Sequence, residues 1–177
     1  GHIERYNPGV RKVLEMVFNG DLGGLFYIDT IRQGLTPQGF VDSDALTNLG
    51  IHDLEIINYI VNYTKDPIII FNGIKESRIN KCGDIFRINM ATKNKCLINM
   101  VVDTLTPIKK RELFICGEKG LLALDYITQK LIFYTNGLAK ESYSYSEILK
   151  GVSLGETINI NLDWQEPLLL EINNFIK

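Results

Sequence analysis

The residues of this chain best suited to chemistry lie in residues 44–62, which include one of the two histidines, His52. Asn48, His52 and Glu55 follow one another at steps of four and three, a spacing that stacks side chains on one helix face. An unperturbed histidine titrates near pH ~6.5, so His52 could exchange a proton with a substrate as a general acid or base. The same pattern also fits a hydrogen-bonded histidine in the core.

Asp53 is unusual because it falls within the apolar stripe of the same segment. A buried carboxylate is costly without a hydrogen-bond partner, so we expect Asp53 to have one. Asp53 lies about 100° around a helix from His52, which suggests that it supports the histidine. A metal site at these two residues is a weaker interpretation, since one histidine with neighbouring carboxylates is a thin ligand set for zinc. The stripe contains Leu46, Leu49, Ile56 and Ile60.

Hydrophobic periodicity predicts the elements that must hold these residues. Asn7 and Pro8 are typical of a helix cap and first turn, and an apolar stripe follows as far as residue 18. Residues 1–5 and 25–32 have strand character, residues 33–43 form a loop with two glycines and a proline, and residues 44–62 form the next helix.

The chain then changes to a series of short strands joined by turn signals. The predicted strands are 67–76, 84–92, 96–104, 111–116, 121–126, 130–134 and 157–162, and a last helix starts at Glu166-Pro167. This order predicts an α+β fold, an open and mostly antiparallel sheet with helices packed on one face. Because Ile85, Ile88 and Met90 do not alternate cleanly with polar residues, we expect a partner to cover the other face.

Composition narrows the class of protein. The chain has 177 residues, 45% of them hydrophobic, and a formal net charge of −2, so we expect one globular domain over residues 1–177. No basic cluster indicates nucleic-acid binding, and no apolar run indicates a membrane span. The three scattered cysteines indicate a reducing, cytoplasmic environment and are expected to be buried apolar residues. His2 and Trp164 are interpreted as structural.

Both ends of the chain suggest a piece of a longer protein. The chain opens directly into a predicted strand, and it stops at Lys177 while the apolar pattern of the last helix is still running. No strand, glycine-rich turn and helix occur in the order of a dinucleotide-binding loop, and Gly117–Gly120 is expected to be a hairpin turn.

Five motifs in order resemble the Gfo/Idh/MocA oxidoreductases, and most closely their nucleotide-sugar branch. GIHDLE is similar to the histidine-bearing helix of that family, and GHIERYNPGVRKVLE is similar to its strand–helix entry with the pattern GH-x-x-R-[FY]-N-P. The other matching motifs are NGDLGGLFYIDTIRQG, CGEKGLLALDY and QEPLLLEINNFI. Together they run from residue 1 to residue 176.

The resemblance implies that this chain is the C-terminal domain of an enzyme whose N-terminal Rossmann domain is absent. That domain would bind NAD or NADP, and a lysine on it would share in catalysis, so no cofactor is expected in this chain. The family typically forms homo-oligomers through the open face of the sheet. The implied reaction is hydride transfer between a sugar or nucleotide sugar and nicotinamide, with His52 as the catalytic acid or base.

Asn48 departs from the family pattern, in which an aspartate stands four residues before the histidine. An amide can bind a substrate or orient His52 but cannot accept a proton. Another carboxylate, Asp53 or Asp44, could substitute. Alternatively, the domain has lost catalysis and serves as a non-catalytic binding or assembly module.

Four more residues are candidates for substrate contact. Arg5, Tyr6 and Asn7 could reach the substrate or nicotinamide from the end of the first strand, although Asn7 could equally be a helix cap alone. Arg32, which leads into the 33–43 loop, could bind a phosphate or hydroxyl through its planar guanidinium. An exposed edge charge is the alternative interpretation of Arg32.

Overall fold

The central element of the fold is an eight-stranded sheet in the order β2-β3-β4-β1-β5-β6-β7-β8. The computed structural model describes residues 3–35, 43–137, 155–163 and 165–176. The strands are β1 Leu25–Gln33, β2 Ile68–Glu76, β3 Ile85–Thr92, β4 Leu97–Asp103, β5 Lys110–Gly117, β6 Gly120–Asp125, β7 Lys130–Thr135 and β8 Thr157–Ile160. All eight were predicted, with ends that differ by at most two residues.

Strand β1 is the exception to antiparallel pairing, because it lies between β5 and β4 and runs parallel to β4. The other adjacent pairs are antiparallel. A parallel pair needs a long crossover, and here the chain between β1 and β4 contains the His52 helix and the β2–β3 hairpin. The crossover brings that helix back across the sheet.

Three α-helices and two shorter helical turns complete the described fold. They are a 3-10 helix Ile3–Tyr6, α1 Pro8–Phe18, a π-helical turn Leu46–Gly50 that continues into α2 Ile51–Thr64, and α3 Pro167–Ile176. The predicted strand at residues 1–5 is wrong, since Ile3–Tyr6 is helical. The backbone N–H of Asn7 bonds to Glu4 O at 3.1 Å, which closes this turn directly before α1.

One face of the sheet packs against α1 and α2 and forms the core. Buried and more exposed residues alternate along the central strands, so that one side of each strand is buried. This pattern is typical of a sheet that is covered on one side. The expectation that β3 fails to alternate is wrong, because Ile88 and Met90 face the core while Arg87 and Asn89 face outward. Core side chains include Val10, Val13, Ile28, Ile57, Ile60, Ile98, Met100, Ile115 and Leu122.

The opposite, open face has mixed polarity. Registered pairs place Asn99, Asp29 and Phe114 in one row across β4, β1 and β5, and the Asn99 amide donates to Asp29 at 2.6 Å. The next row contains Ile31 and Val101, both half-buried. This face is therefore less uniformly apolar than the sequence pattern indicates.

Several smaller predictions can be compared with the structure. Gly117 pairs with Gly120 at the end of the β5–β6 hairpin, as expected. Cys96 is buried, but Cys82 is exposed and Cys116 is half-buried, so the prediction of three buried cysteines is wrong. His2, Trp164 and residues 36–42 of the predicted loop lie outside the described residues.

Candidate active site

The His52 helix begins with a π-helical turn, in which the N–H of Ile51 bonds to the carbonyl of Leu46. Short π-helical stretches are rare and occur frequently at functional sites. Asp44 caps this turn, because its carboxylate accepts hydrogen bonds from the Thr47 amide at 2.8 Å and the Thr47 hydroxyl at 3.0 Å. The single α-helix predicted for residues 44–62 is therefore two segments with different winding.

Gly50 allows the π-helical turn to approach the sheet closely. A Cβ atom at this position would lie 2.6 Å from Leu46 Cδ1 and 3.1 Å from Val102 Cγ2 on β4. The first contact is with a side chain of the same turn, which would have to move, whereas the second is with β4 and is tighter than most real Cβ contacts, so a larger residue would press the turn against the sheet. The close packing of Gly50 thus sets the height of Asn48 and His52 above the sheet.

Asn48, His52 and Glu55 are all half-buried, at the boundary between the core face and the exposed face of the helix. Residues Asp53, Ile56 and Ile60 of the same helix are buried. A side chain at this boundary can meet a ligand while its backbone is held by the core. Contact of His52 and Asn48 with a substrate stays a prediction.

Asp53 is 0% exposed, and its hydrogen-bond partner is Arg32 of β1. The Arg32 Nε atom donates to Asp53 Oδ1 at 2.8 Å. Arg32 is itself 2% exposed, so its interpretation as an exposed edge charge is wrong. The guanidinium also lies 4.8 Å from the ring centroid of buried Tyr126, a favourable cation–π distance.

The Arg32 guanidinium continues this network to the start of the chain. Its Nη1 donates to Glu4 Oε1 at 3.0 Å, and Glu4 Oε2 accepts from the Asn7 side-chain amide at 3.1 Å. Asn7 Oδ1 in turn accepts from the Gly9 N–H at 2.9 Å, so Asn7 is the N-cap of α1. One polar network thus links α2, β1, the 3-10 helix and α1.

Burial and charge act in opposite directions on the groups of this network. Burial raises the pKa of Asp53, and the nearby Arg32 charge opposes that rise without cancelling it. Burial by itself lowers the pKa of Arg32, but Asp53, Tyr126 and Glu4 raise it above its usual value. Burial also raises the pKa of Tyr126 well above its usual value, and the Asp53 charge adds to that effect. Arg32 therefore stays charged at all physiological pH values.

The structure separates the predicted site residues into two groups. Arg32, Asp53 and Asn7 lie together in the buried network, each engaged with protein partners. Asn48 and His52 lie at the exposed boundary of the helix. Contact of Asn7 and Arg32 with a substrate stays a prediction.

Arg5 is exposed and stacks over the ring of Tyr59, with its Cζ atom 5.1 Å from the ring centroid. Tyr59 lies seven residues after His52, two turns along the same helix face. The structure therefore places Arg5 on the side of α2 that carries His52. Tyr59 was missed in the sequence, although its spacing from His52 continues the helical repeat of the predicted site.

Among the described residues, no group of three or more His, Cys, Asp or Glu side chains is arranged to hold a metal ion. None of the helices in the described part of the chain is long and apolar enough to cross a membrane.

No protein-family model and no curated protein sequence matches the chain. Solved structures do match its fold. The UDP-N-acetylglucosamine 3-dehydrogenase GnnA from Acidithiobacillus ferrooxidans superposes with a TM-score of 0.79 at 18% identity, over 99% of this chain and 51% of that one. The aldose-aldose oxidoreductase from Caulobacter crescentus gives a TM-score of 0.74 at 14% identity, over 98% of this chain and 50% of that one.

A third solved structure contains ligands. The WlbA dehydrogenase from Bordetella pertussis, in complex with NADH and UDP-GlcNAcA, gives a TM-score of 0.63 at 16% identity over 71% of this chain and 39% of that one. The chain spans about half the length of the first two structures. Its fold is therefore that of one part of these oxidoreductases, an open and mostly antiparallel sheet with helices packed on one face.

Proposed function

We propose that this chain is the substrate-binding and oligomerisation domain of an NAD(P)-dependent oxidoreductase that acts on a sugar or nucleotide sugar. The observation that carries the proposal is the half-buried position of His52 on a helix that a buried ion pair fixes to the sheet. The shared fold with sugar-nucleotide and aldose oxidoreductases supports the substrate class.

In this proposal the residues of the chain bind the substrate and move one proton. His52 takes the carbinol O–H proton as the C–H bond breaks and the carbonyl forms. Asn48 orients the substrate or the imidazole through its amide, and Asp53 holds the first turn of α2 through Arg32. NAD or NADP, bound mainly by a second domain, supplies the hydride acceptor at C4 of its nicotinamide.

Dinucleotide binding tests whether the second domain, and not this chain, binds the cofactor. Titration calorimetry of the 177-residue chain with NAD should show no binding in the micromolar range, whereas the chain joined to its dinucleotide-binding domain should bind. Micromolar NAD binding by the chain alone would contradict the proposal. The chain alone is also expected to be inactive.

Asn48 favours a second candidate function, a binding or assembly module without catalysis. An amide cannot take up the proton that a carboxylate would accept. Asp44 and Asp53 do not directly replace the carboxylate that is missing at position 48, because the Asp44 carboxylate binds Thr47 and the Asp53 carboxylate binds Arg32. The variant Asn48→Asp in the two-domain protein separates the candidates. A large gain of activity on this substitution would indicate an enzyme that has lost catalysis. High activity of the wild type that the substitution leaves unchanged would support the first proposal.

The open sheet face supports a proposal of homo-oligomerisation. Ile31, Val101 and Phe114 on this face are half-buried, and none of the described helices packs over them. Light scattering should find an oligomer that the substitution Val101→Arg dissociates, whereas a wild-type monomer would overturn the proposal of homo-oligomerisation.

We place the protein in the cytoplasm, where its three free cysteines would stay reduced.

A further inference from the structure

We propose that strand β2 pairs edge to edge with β2 of a second copy of this chain, so that two sheets join into one. This inference goes beyond the proposed function, because the contact lies along the backbone edge of the sheet and not on its open face. Strand β2, Ile68–Glu76, is one of the two edge strands, and among the described strands only β3 pairs with it. Its outer backbone N–H and C=O groups are therefore a template for another strand.

Strand β2 has an apolar surface that an isolated chain exposes to water. All nine of its residues are exposed. Four large apolar side chains of the strand are more than half exposed: Ile69, Ile70, Phe71 and Ile74. Exposed apolar residues are ordinary when they are scattered, but here they are concentrated on one edge, and the charged Lys75 and Glu76 come only at its end. A long apolar edge of this kind is suited to pairing with another chain.

The opposite edge of the sheet is different. Strand β8, Thr157–Ile160, has four residues against nine in β2, and two of the four are the polar Thr157 and Asn159. Very short edge strands resist pairing with other chains. The sheet therefore has one edge that is protected and one that is suited to a partner.

The register with β3 shows that β2 exposes apolar side chains on both sides of the sheet. Phe71 pairs with Met90, which is buried on the core side, whereas Ile74 pairs with Arg87, which faces outward. A contact through the open face would cover Ile70 and Ile74 and would leave Phe71 in water. A strand added to the edge lies beside the side chains of both faces, so edge pairing accounts for the whole surface.

Strand β2 can pair with itself in the antiparallel direction about a two-fold axis at Asn72. In that register Ile70 of one copy lies opposite Ile74 of the other, and Phe71 lies opposite Gly73, which leaves room for the ring. Asn72 lies opposite its own copy, where an amide can both donate and accept a hydrogen bond. Moving the axis by one residue in either direction would place Asn72 opposite Ile70 or Ile74. A two-fold contact is closed, so it yields a dimer and not a fibre.

The area of this contact is at the lower end of the range for specific interfaces. From their exposed fractions, the five large apolar side chains of β2 present roughly 600 Å² per copy, so that two copies could bury up to about 1,200 Å². Lys75 and Glu76 lie opposite Ile69 and Ile68 in this register, so no like charges face each other. Backbone hydrogen bonds between the two strands add to the apolar contact.

Charge substitutions at the two-fold axis test the proposal. Sedimentation of the whole chain should show that Asn72→Lys and Asn72→Glu each halve the mass of the assembly, because like charges then lie directly opposite one another. An equal mixture of the two variants should restore the wild-type mass, because opposite charges then face each other. Halving is expected whether or not the open face also associates, since a tetramer would become a dimer and a dimer would become monomers.

Two further variants show which surface is involved. Phe71→Lys lies on the side of the sheet away from the open face, and it should also halve the mass. The matched control is Asn159→Lys, which places the same charge on an exposed asparagine of β8, the other edge strand. It should keep the wild-type mass, and circular dichroism should show that all variants fold.

Three results would overturn the proposal. The first is a mass that the Asn72 substitutions do not lower, which includes a wild-type chain that is already a monomer. The second is a mass that Asn72→Lys lowers and Phe71→Lys does not, which would assign the effect to the open face. The third is a mixture of the two Asn72 variants that keeps the halved mass, because the two residues would then not face each other. Each result leaves the proposed function in place, since no residue of β2 belongs to the candidate active site.

Discussion

Arg32 donates a hydrogen bond from its Nε to Oδ1 of Asp53 at 2.8 Å, although 21 positions separate the two residues. The pair fixes the first turn of α2 to the middle of the sheet, directly beside His52. Through Glu4 the same guanidinium reaches the segment that opens the domain. One guanidinium therefore holds both the 3-10 helix and the helical turn that carries His52.

Breaking this pair should strongly destabilise the domain. Arg32→Met leaves the Asp53 carboxylate buried without its partner, and Asp53→Leu leaves the guanidinium in the same state. Each should lower the free energy of unfolding by about 3 to 5 kcal/mol, measured by urea denaturation. The double variant should lose clearly less than the sum, because no buried charge is then unpaired at this position.

The matched control for this pair lies on the protein surface. Lys12 and Glu15 also form an ion pair at 2.7 Å, with side chains 37% and 55% exposed. Lys12→Met should change the free energy of unfolding by less than about 1 kcal/mol. Equal effects of Arg32→Met and Lys12→Met would contradict the structural role of the buried pair.

Gly50→Ala should destabilise the domain because the new methyl group meets Leu46 and Val102. We expect a loss of about 1 to 3 kcal/mol in the free energy of unfolding, the usual cost of overpacking. Gly73→Ala on β2 is the control, since a Cβ there would meet its nearest atoms at 3.7 Å. If both substitutions are equally tolerated, the close approach of the π-helical turn to β4 is refuted.

Acid should weaken the domain partly through Asp84. Burial alone would raise the pKa of this carboxyl, but hydrogen bonds from the backbone N–H groups of Ile79, Arg78 and Asn80 outweigh burial and lower it. The folded state then binds the proton less readily than the unfolded state. The stability from Asp84 is therefore present above the unfolded pKa of about 3.9 and is lost as the pH falls through the lower folded pKa.

The variant Asp84→Asn measures this contribution. It should be less stable than the wild type at pH 7, and the difference should shrink as the pH falls below about 4. Asp21→Asn is the control, because Asp21 is exposed. A difference between Asp84→Asn and the wild type that stays constant from neutral pH to acid would show that the charge of Asp84 is unimportant.

The strands were predictable because their alternation and turn signals are local properties of the sequence. The pairing of Arg32 with Asp53 could be predicted only in part from the sequence. Asp53 within an apolar stripe indicated a buried partner, and Arg32 has the same parity in β1 as buried Ile28 and Thr30. That parity could have marked Arg32 as buried, but the choice of partner depends on the crossover that places α2 over β1.

The π-helical turn and the cleft lined by Arg5, Arg11 and Tyr59 could not be predicted from local patterns. The turn depends on the contact of Gly50 with Val102, a residue of a distant strand. The cleft depends on α3 returning to the start of the chain, where Asn174 bonds to Tyr6. The sequence made Arg5 a candidate through its place at the end of a predicted strand but gave no reason to connect it with Arg11 or Tyr59.

The most direct test of the proposed function is the turnover number of the His52→Gln variant in the two-domain protein. NADH or NADPH formation is followed by absorbance with a sugar or nucleotide-sugar substrate, and Asn58→Ala on the exposed side of α2 is the control. We predict that His52→Gln lowers kcat by about 100-fold or more and abolishes the acidic limb of the pH–rate profile, with the dinucleotide KM little changed. A kcat within about threefold of the wild type, with the same pH profile, would contradict the role of His52 as the proton acceptor.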